Sequence, residues 1–318
     1  MSIDISYKKI SRYPWIWALL GTLIMWILLG IFSGRFNLES LLTISISACF
    51  LAVMAFGQML VVTTGNGAID LSIAGMITLS AYLSAGWVNG NSINLIWAIP
   101  STLLIGGVIG FLNSLSVLFL KIPPMIATLG MNYIIITFIM LVNKNFRAFK
   151  IAPVLLAFTR FRLFGVIPIL LLFIIMMICL CNFVLRKTRF GKSLLALGQN
   201  LEAAKFAGIN TDLMYMFAYS LCSILAALGG ILISARVGGA FLGLGDPYQL
   251  QTVASVVVGG TLISGGRAVP IGTFFGCMFL ILLTTTMQVA GIKVGGQYIV
   301  TGLFIISVLF LASKNEKQ

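Results

Sequence analysis

The chain offers little that could do covalent chemistry. It has no histidine, which removes a histidine general base, a histidine-held metal and a histidine-ligated haem. Its five cysteines, Cys49, Cys179, Cys181, Cys222 and Cys277, all lie within apolar runs and form no C-x-x-C pair, so they read as buried free thiols and not as a zinc site or a disulfide framework. No phosphate-binding loop of the G-x-x-x-x-G-K-[S/T] type occurs, because Gly191-Lys192 lacks the preceding glycine at the required spacing. What remains is chemistry of position. Asp70 is the only acidic residue near the interior of an apolar run, with Asn66 and Ser72 beside it. Gly259, Gly260, Gly265 and Gly266 flank Thr261 and interrupt another such run. A third polar stretch, Arg186 to Asp212, is the longest break between apolar runs.

These residues must be positioned by elements that live in lipid. Of 318 residues, 60% are hydrophobic and only 8% charged, where a soluble domain carries roughly a quarter charged residues. A helix spanning a bilayer needs about 20 apolar residues. Ten runs are found near 15–32, 41–62, 71–88, 95–119, 125–143, 165–185, 213–234, 250–264, 271–289 and 297–312, the eighth short enough to be a broken helix. The expected fold is all-α: a polytopic transmembrane bundle of about ten spans, one or two of them short or broken, in a single domain over 1–318. The first run is read as a retained span, since it lacks a small-x-small cleavage site.

The net charge of +13 is gathered in the gaps between runs and not along a basic face with interleaved aromatics, which membrane topology explains better than nucleic-acid binding does. With the amino terminus inside, twelve basic residues fall inside, among them Lys8, Lys9, Arg12 and the Arg186–Lys205 cluster. Eight fall outside, five of them in the segment 143–165. The expectation is that both termini and a loop at about 186–212 are cytoplasmic, and that the basic loop at about 143–165 is external.

Each polar element has two readings. Asp70, ahead of Leu71-Ser72-Ile73, either caps the third span or acts in a path or gate. The Gly259–Gly266 region either lines a path or lets helices pack closely. From Asn200 the sequence forms a short helix, capped by Asn200, with Glu202 in its first turn and Gly208 as a left-handed stop. That helix either rests on the membrane surface or docks into a groove on another protein. Asn113, Asn132, Tyr133, Gln249, Gln251, Thr252, Thr284 to Thr286 and Gln288 are further polar residues available to a neutral solute.

Four stretches, in order, resemble the ribose-type permease subunits of bacterial ATP-driven sugar importers. They are Thr64-Gly-Asn-Gly-Ala-Ile-Asp-Leu-Ser72; Ile122-Pro-Pro-Met-Ile-Ala-Thr-Leu-Gly130; Arg189-Phe-Gly-Lys with Ala196-Leu-Gly and Glu202-Ala-Ala-Lys-Phe-Ala-Gly-Ile-Asn210; and Val258-Gly-Gly-Thr-Leu-Ile-Ser-Gly-Gly266. Ala68 stands where the family usually has glycine, and Gln249 and Gln251 stand where members often carry acids. The resemblance implies a non-enzymatic subunit in the bacterial inner membrane, forming the translocation path for a sugar or sugar-like neutral solute. It implies an external solute-binding protein, a second permease copy or paralogue, and cytoplasmic ATPase subunits that hold the ATP and Mg, with no cofactor or metal on this chain. The coupling loop would use Gly191, Gly198, Glu202, Ala203, Ala204 and Gly208; path or gate candidates are Asn66, Asp70, Ser72, Gly259, Gly260, Thr261, Gly265 and Gly266. The competing class, an ion-coupled secondary transporter, calls for intramembrane acids or histidines, and here only Asp70 qualifies.

Overall fold

The computed structural model describes residues 14–34, 36–142 and 150–315. Lys8, Lys9, Arg12, Arg35, Lys144, Arg147 and Lys317 of the charge argument lie outside the described residues, as does 143–149 of the basic segment. The described residues form thirteen α-helices: α1 Trp15–Ser33, α2 Leu38–Thr63, α3 Ile73–Val88, α4 Leu95–Leu118, α5 Pro124–Val142, α6 Pro153–Arg160, α7 Ile169–Lys187, α8 Arg189–Gln199, α9 Leu201–Phe206, α10 Thr211–Val237, α11 Tyr248–Val258, α12 Pro270–Val289 and α13 Val294–Asn315. The fold is an all-α polytopic membrane bundle, with seven of these helices long and apolar enough to cross a membrane.

Helix ends follow their local sequence. Asn37 accepts from the Glu39 amide at 2.9 Å to start α2, and Pro124 opens α5 where a missing amide costs no intrahelical bond. The apolar run expected at 250–264 yields only α11, 11 residues or about 16 Å of helix, ending at the Gly259-Gly260 turn. Ile73–Val88 is also a shorter apolar helix, and Val294–Phe310 is the apolar stretch of α13.

α2 is buried at every residue from Ala48 to Thr63, so that stretch is apolar on nearly every side, as a core helix must be. α10 packs on α4, α2 and α3, and α12 on α1, α2 and α11, while α13 touches mainly α11 and α12. Small residues set these approaches. A Cβ at Gly57 would sit 2.8 Å from Cys222 Cα, and one at Gly110 would overlap the Tyr219 carbonyl. Outward faces carry exposed Ile24, Ile31, Phe138, Leu141, Leu303 and Phe310, the surface a bilayer covers.

Two features differ from the sequence reading. The segment 150–168 contains α6 and a two-stranded antiparallel hairpin, Arg162–Leu163 with Ile167–Pro168, turned by Phe164 and Gly165 at positive φ. The thiols are not uniformly buried: Cys49, Cys222 and Cys277 are, but Cys179 is exposed and Cys181 half-buried, because α7 turns that part of its apolar surface outward.

Candidate functional site

The polar connection after α7 is two helices, not one. Thr188 starts α8 by accepting from the Gly191 amide at 3.1 Å and donating to the Val184 carbonyl at 2.6 Å. α8 buries Leu194 and Leu197 and leaves its polar side out. Asn200 then caps α9, its Oδ1 accepting from the Ala203 amide at 3.0 Å, and Gly208 leaves the helix at φ 77°. Ala204 is buried beneath α9, while Glu202, Ala203, Lys205 and Phe206 face outward. Lys205 Nζ lies 3.2 Å from Glu202 Oε1, and Phe206 is 91% exposed. Phe206 was absent from the candidate residues, although its position two residues before a helix-ending glycine marks the tip of this hairpin.

The last turn of α8 meets two other motifs in a junction of glycines. The Gly266 amide donates to the Thr63 carbonyl at 3.0 Å, and Gln199 Nε2 donates to the Gly266 carbonyl at 3.4 Å. A Cβ on Gly198 would overlap the Thr63 carbonyl oxygen and the Gly266 nitrogen; one on Gly265 would overlap Gly65. Gly65, Gly265 and Gly266 have φ of 83°, 94° and 74°, the left-handed region that glycine enters without strain. The segments 64–72 and 259–269 are thereby packed onto the end of α8 by close backbone approach, with the Gln199 side chain adding one bond. Gly259 and Gly272 have a different task, since each stands where a Cβ would strike the other's backbone, bringing α11 onto α12. Thr261 Oγ1 accepts from the Val269 amide at 3.2 Å and closes the 259–269 loop. Arg267 Nε donates to the Gly260 carbonyl at 3.1 Å, and partial burial lowers the pKa of its guanidinium, which nonetheless stays charged.

Beyond the junction lies Asp70, fully buried. Its Oδ1 accepts from the Ser72 amide at 2.8 Å and the Ser72 hydroxyl at 2.6 Å, just ahead of α3. Asn113 Nδ2 of α4 donates to Ser72 Oγ at 2.8 Å. With its nitrogen toward the Asp70 carbonyl, the Gln58 amide spans both backbone groups of Asp70, at 3.2 and 3.1 Å. Asp70 Oδ2, Asn113 Oδ1, Tyr219 OH and Ser223 Oγ are buried without a partner among the described residues. Thr128 Oγ1 accepts from the Leu71 amide at 3.0 Å and stands 3.2 Å from the Ile69 carbonyl, pinning the Pro-Pro stretch to the Asp70 loop.

A cleft of about 410 Å³ opens where these parts meet, lined by Asn66, Lys121, Pro123, Leu201, Lys205 and Tyr215 among others. Asn66, at φ 55°, donates to Tyr215 OH at 3.4 Å. All four sequence stretches therefore converge on one end of the bundle. The candidate solute contacts do not. Asn132 Oδ1 accepts from the Gly75 amide at 2.7 Å between α5 and α3, Thr252 and Thr286 are buried, and Tyr133 points outward. Gln249, Gln251, Thr284, Thr285 and Gln288 share a separate groove.

Residues 40–311 match the family described as the permease component of the branched-chain amino acid transport system. The chain belongs to this permease family. It is 29% identical over 290 residues to the Ribose import permease protein RbsC of Escherichia coli strain K12, covering 88% of each chain. It is 30% identical over 293 residues to the Autoinducer 2 import system permease protein LsrC of Yersinia pestis strain Pestoides F, covering 92% of this chain and 82% of that one. No solved structure matches. Among the described residues no group of three or more His, Cys, Asp or Glu could hold a metal ion. Across this permease the four stretches of sequence become one mechanical assembly, a helical hairpin joined by glycines to two buried loops.

Proposed function

We propose that this permease forms the membrane path of an ATP-driven importer for a sugar or sugar-like neutral solute, delivered by an external binding protein. Its runs cross the bacterial inner membrane ten times, with both termini and the α8–α9 connection in the cytoplasm and the 143–165 segment outside. The excess of basic residues on the cytoplasmic side supports that orientation. A second copy or a paralogue completes the path, and two cytoplasmic ATPases carry ATP and Mg.

The observation that carries the reading is the glycine junction. α8, which leads through Asn200 into the α9 helix that bears Glu202, Lys205 and Phe206 on its outer face, ends at Gly198 and Gln199, where Gly198 packs its backbone against Gly65 and Gly266 and Gln199 bonds to Gly266. An ATPase that seats α9 therefore grips, through α8, the Asp70 loop and the 259–269 loop together. Closure of two ATPases on ATP would favour one arrangement of these loops over the other, a population shift driven by differential binding. Outside, Arg162 is already engaged by Glu39 at 3.6 Å and Thr43 at 3.2 Å, which leaves Lys150 and Arg160 to meet acidic residues on a binding protein.

The test is substitution on the outer face of the hairpin. Glu202→Lys and Gly208→Trp are expected to abolish uptake and uncouple ATP hydrolysis, with membrane insertion intact. Unchanged uptake in both variants contradicts the docking role.

A further inference from the structure

Away from the glycine junction, a groove of about 500 Å³ runs between α11, α12 and α13, within the roughly 300–1,000 Å³ of small-molecule sites. Its walls have a pattern that neither lipid contact nor core packing calls for. On α12 it is lined by Ile281, Thr284, Thr285 and Gln288, spaced i, i+3, i+4 and i+7, one face of the helix. On α13 it is lined by Val294, Gln297, Tyr298, Thr301 and Ile305, again one face, while Ile299, Leu303, Ile306 and Phe310 are exposed on the rest of that helix. A polar face on a membrane helix turns toward protein or an aqueous cavity.

Four of the chain's seven glutamines line this groove: Gln249, Gln251, Gln288 and Gln297. Two of them are engaged, Gln249 donating to the Leu71 carbonyl at 2.9 Å and Gln297 to the Ile292 carbonyl at 2.7 Å. The amides of Gln251 and Gln288 have no partner among the described residues. Thr284 and Thr285 donate to the Ile281 carbonyl at 3.0 and 2.7 Å, so their oxygens remain free to accept. Among the described residues no lysine or arginine lines the groove, and Asp246 is the one charged side chain there. Free amides, each both donor and acceptor, beside acceptor hydroxyls match an uncharged ligand bearing several hydroxyl groups.

We propose that this groove is the chain's own contact site for a neutral polyhydroxylated solute, with Gln251, Thr284, Thr285 and Gln288 as the hydrogen-bonding groups. The inference rests on the permease reading and deepens it. Gln249 adds a link to the mechanism. Its bond to Leu71 ties the groove to the Asp70 loop, whose other end reaches α8 at Gly65, so a solute in the groove and an ATPase on α9 act on one segment.

The test uses the full chain in lipid nanodiscs, with Cys179 and Cys181 replaced by alanine and single Gln251→Cys, Thr285→Cys or Gln288→Cys probes. A charged, water-soluble methanethiosulfonate is expected to modify all three quickly, while Leu303→Cys on the apolar face of α13 reacts only with a lipid-soluble maleimide. Excess D-ribose is expected to slow modification of the groove cysteines severalfold, and equal osmolarity of choline chloride to leave it unchanged. Probes that stay unreactive in monodisperse protein, or that react at one rate with and without D-ribose, overturn the proposal. Because this labelling needs neither ATPase nor binding protein, such a failure is distinct from failure of the permease reading, which shows as loss of ATP-driven uptake.

Discussion

Replacing Gly198 by alanine tests the junction at its tightest point. The backbone at Gly198 lies outside the left-handed region, so alanine meets no conformational penalty there and the effect is purely steric. The added methyl overlaps the Thr63 carbonyl oxygen and the Gly266 nitrogen. Both are backbone atoms, which cannot rotate aside as a side chain does. Relief requires α8 to move off the other two segments, and the 3.0 Å bond from Gly266 to Thr63 is the first to be stretched. Overpacking costs about 1–3 kcal/mol and loss of the bond about 0.5–1.5 kcal/mol, together about 1.5–4.5 kcal/mol. Since about 1.4 kcal/mol is a factor of ten in an equilibrium, the assembled junction should be depleted tenfold or more. The assay is the ratio of solute uptake to ATP hydrolysis in proteoliposomes, with thermal unfolding measured alongside. The expected result is a ratio reduced about tenfold or more, with hydrolysis retained. Gly130→Ala is the control: nothing lies within 4 Å of a Cβ there, and alanine in a helix interior is favourable by about 0.5–1 kcal/mol. Wild-type unfolding and wild-type coupling in Gly198→Ala would refute the reasoning.

Other substitutions separate the remaining contributions. Asp70→Asn keeps an acceptor for Ser72 and should change stability by less than about 1 kcal/mol, whereas Asp70→Ala leaves the Ser72 amide unpaired in a buried site and should cost about 1–3 kcal/mol; equal melting shifts in detergent would show that the hydrogen bonds at Oδ1 are not what the residue supplies. Phe206→Ala should leave the melting temperature unchanged, because the ring touches little of its own chain, yet weaken copurification of the ATPase as loss of an aromatic anchor does; full retention of the ATPase would remove Phe206 from the interface. Arg162→Ala breaks a long surface pair whose Glu39 end is exposed and should shift stability by no more than about 1 kcal/mol, measured by thermal unfolding; a larger loss would mean that the hairpin is held mainly by Glu39 and Thr43. Cysteines placed at 150 and 160 should be labelled by an impermeant reagent from outside the cell, and labelling only from the cytoplasmic side would reverse the proposed orientation.

Much of this fold was legible because lipid makes simple demands. Each of the ten apolar runs corresponds to a helix, and the short one at 250–264 is the helix that stops at Gly259, as its flanking glycines require. The cap at Asn200 and the stop at Gly208 were readable from residue type alone. α8 was not, because Arg189–Gln199 mixes basic, small and apolar residues and gains its buried face from packing against α7, α10 and α2. The hairpin at 162–168 hid in a basic segment whose turn places Phe164, an unusual choice, at positive φ. The glycine stretches were visible as interruptions, but no single-chain pattern reveals that Gly65, Gly198 and Gly266 meet, since that contact joins residues far apart in sequence. The groove could have been found from the spacing of Thr284, Thr285 and Gln288 on one helical face; read as isolated polar residues, they were mixed with Asn132 and Thr252, which serve packing.

The central claim is that this permease moves solute only when an ATPase drives it. The most direct measurement is uptake of radiolabelled D-ribose into proteoliposomes holding the chain alone, the chain with its ATPase, or the complete importer with binding protein and ATP. Accumulation in the complete assembly only, lost when ATP is replaced by a non-hydrolysable analogue, is the predicted result. Accumulation by the chain alone under a proton or sodium gradient would contradict the account.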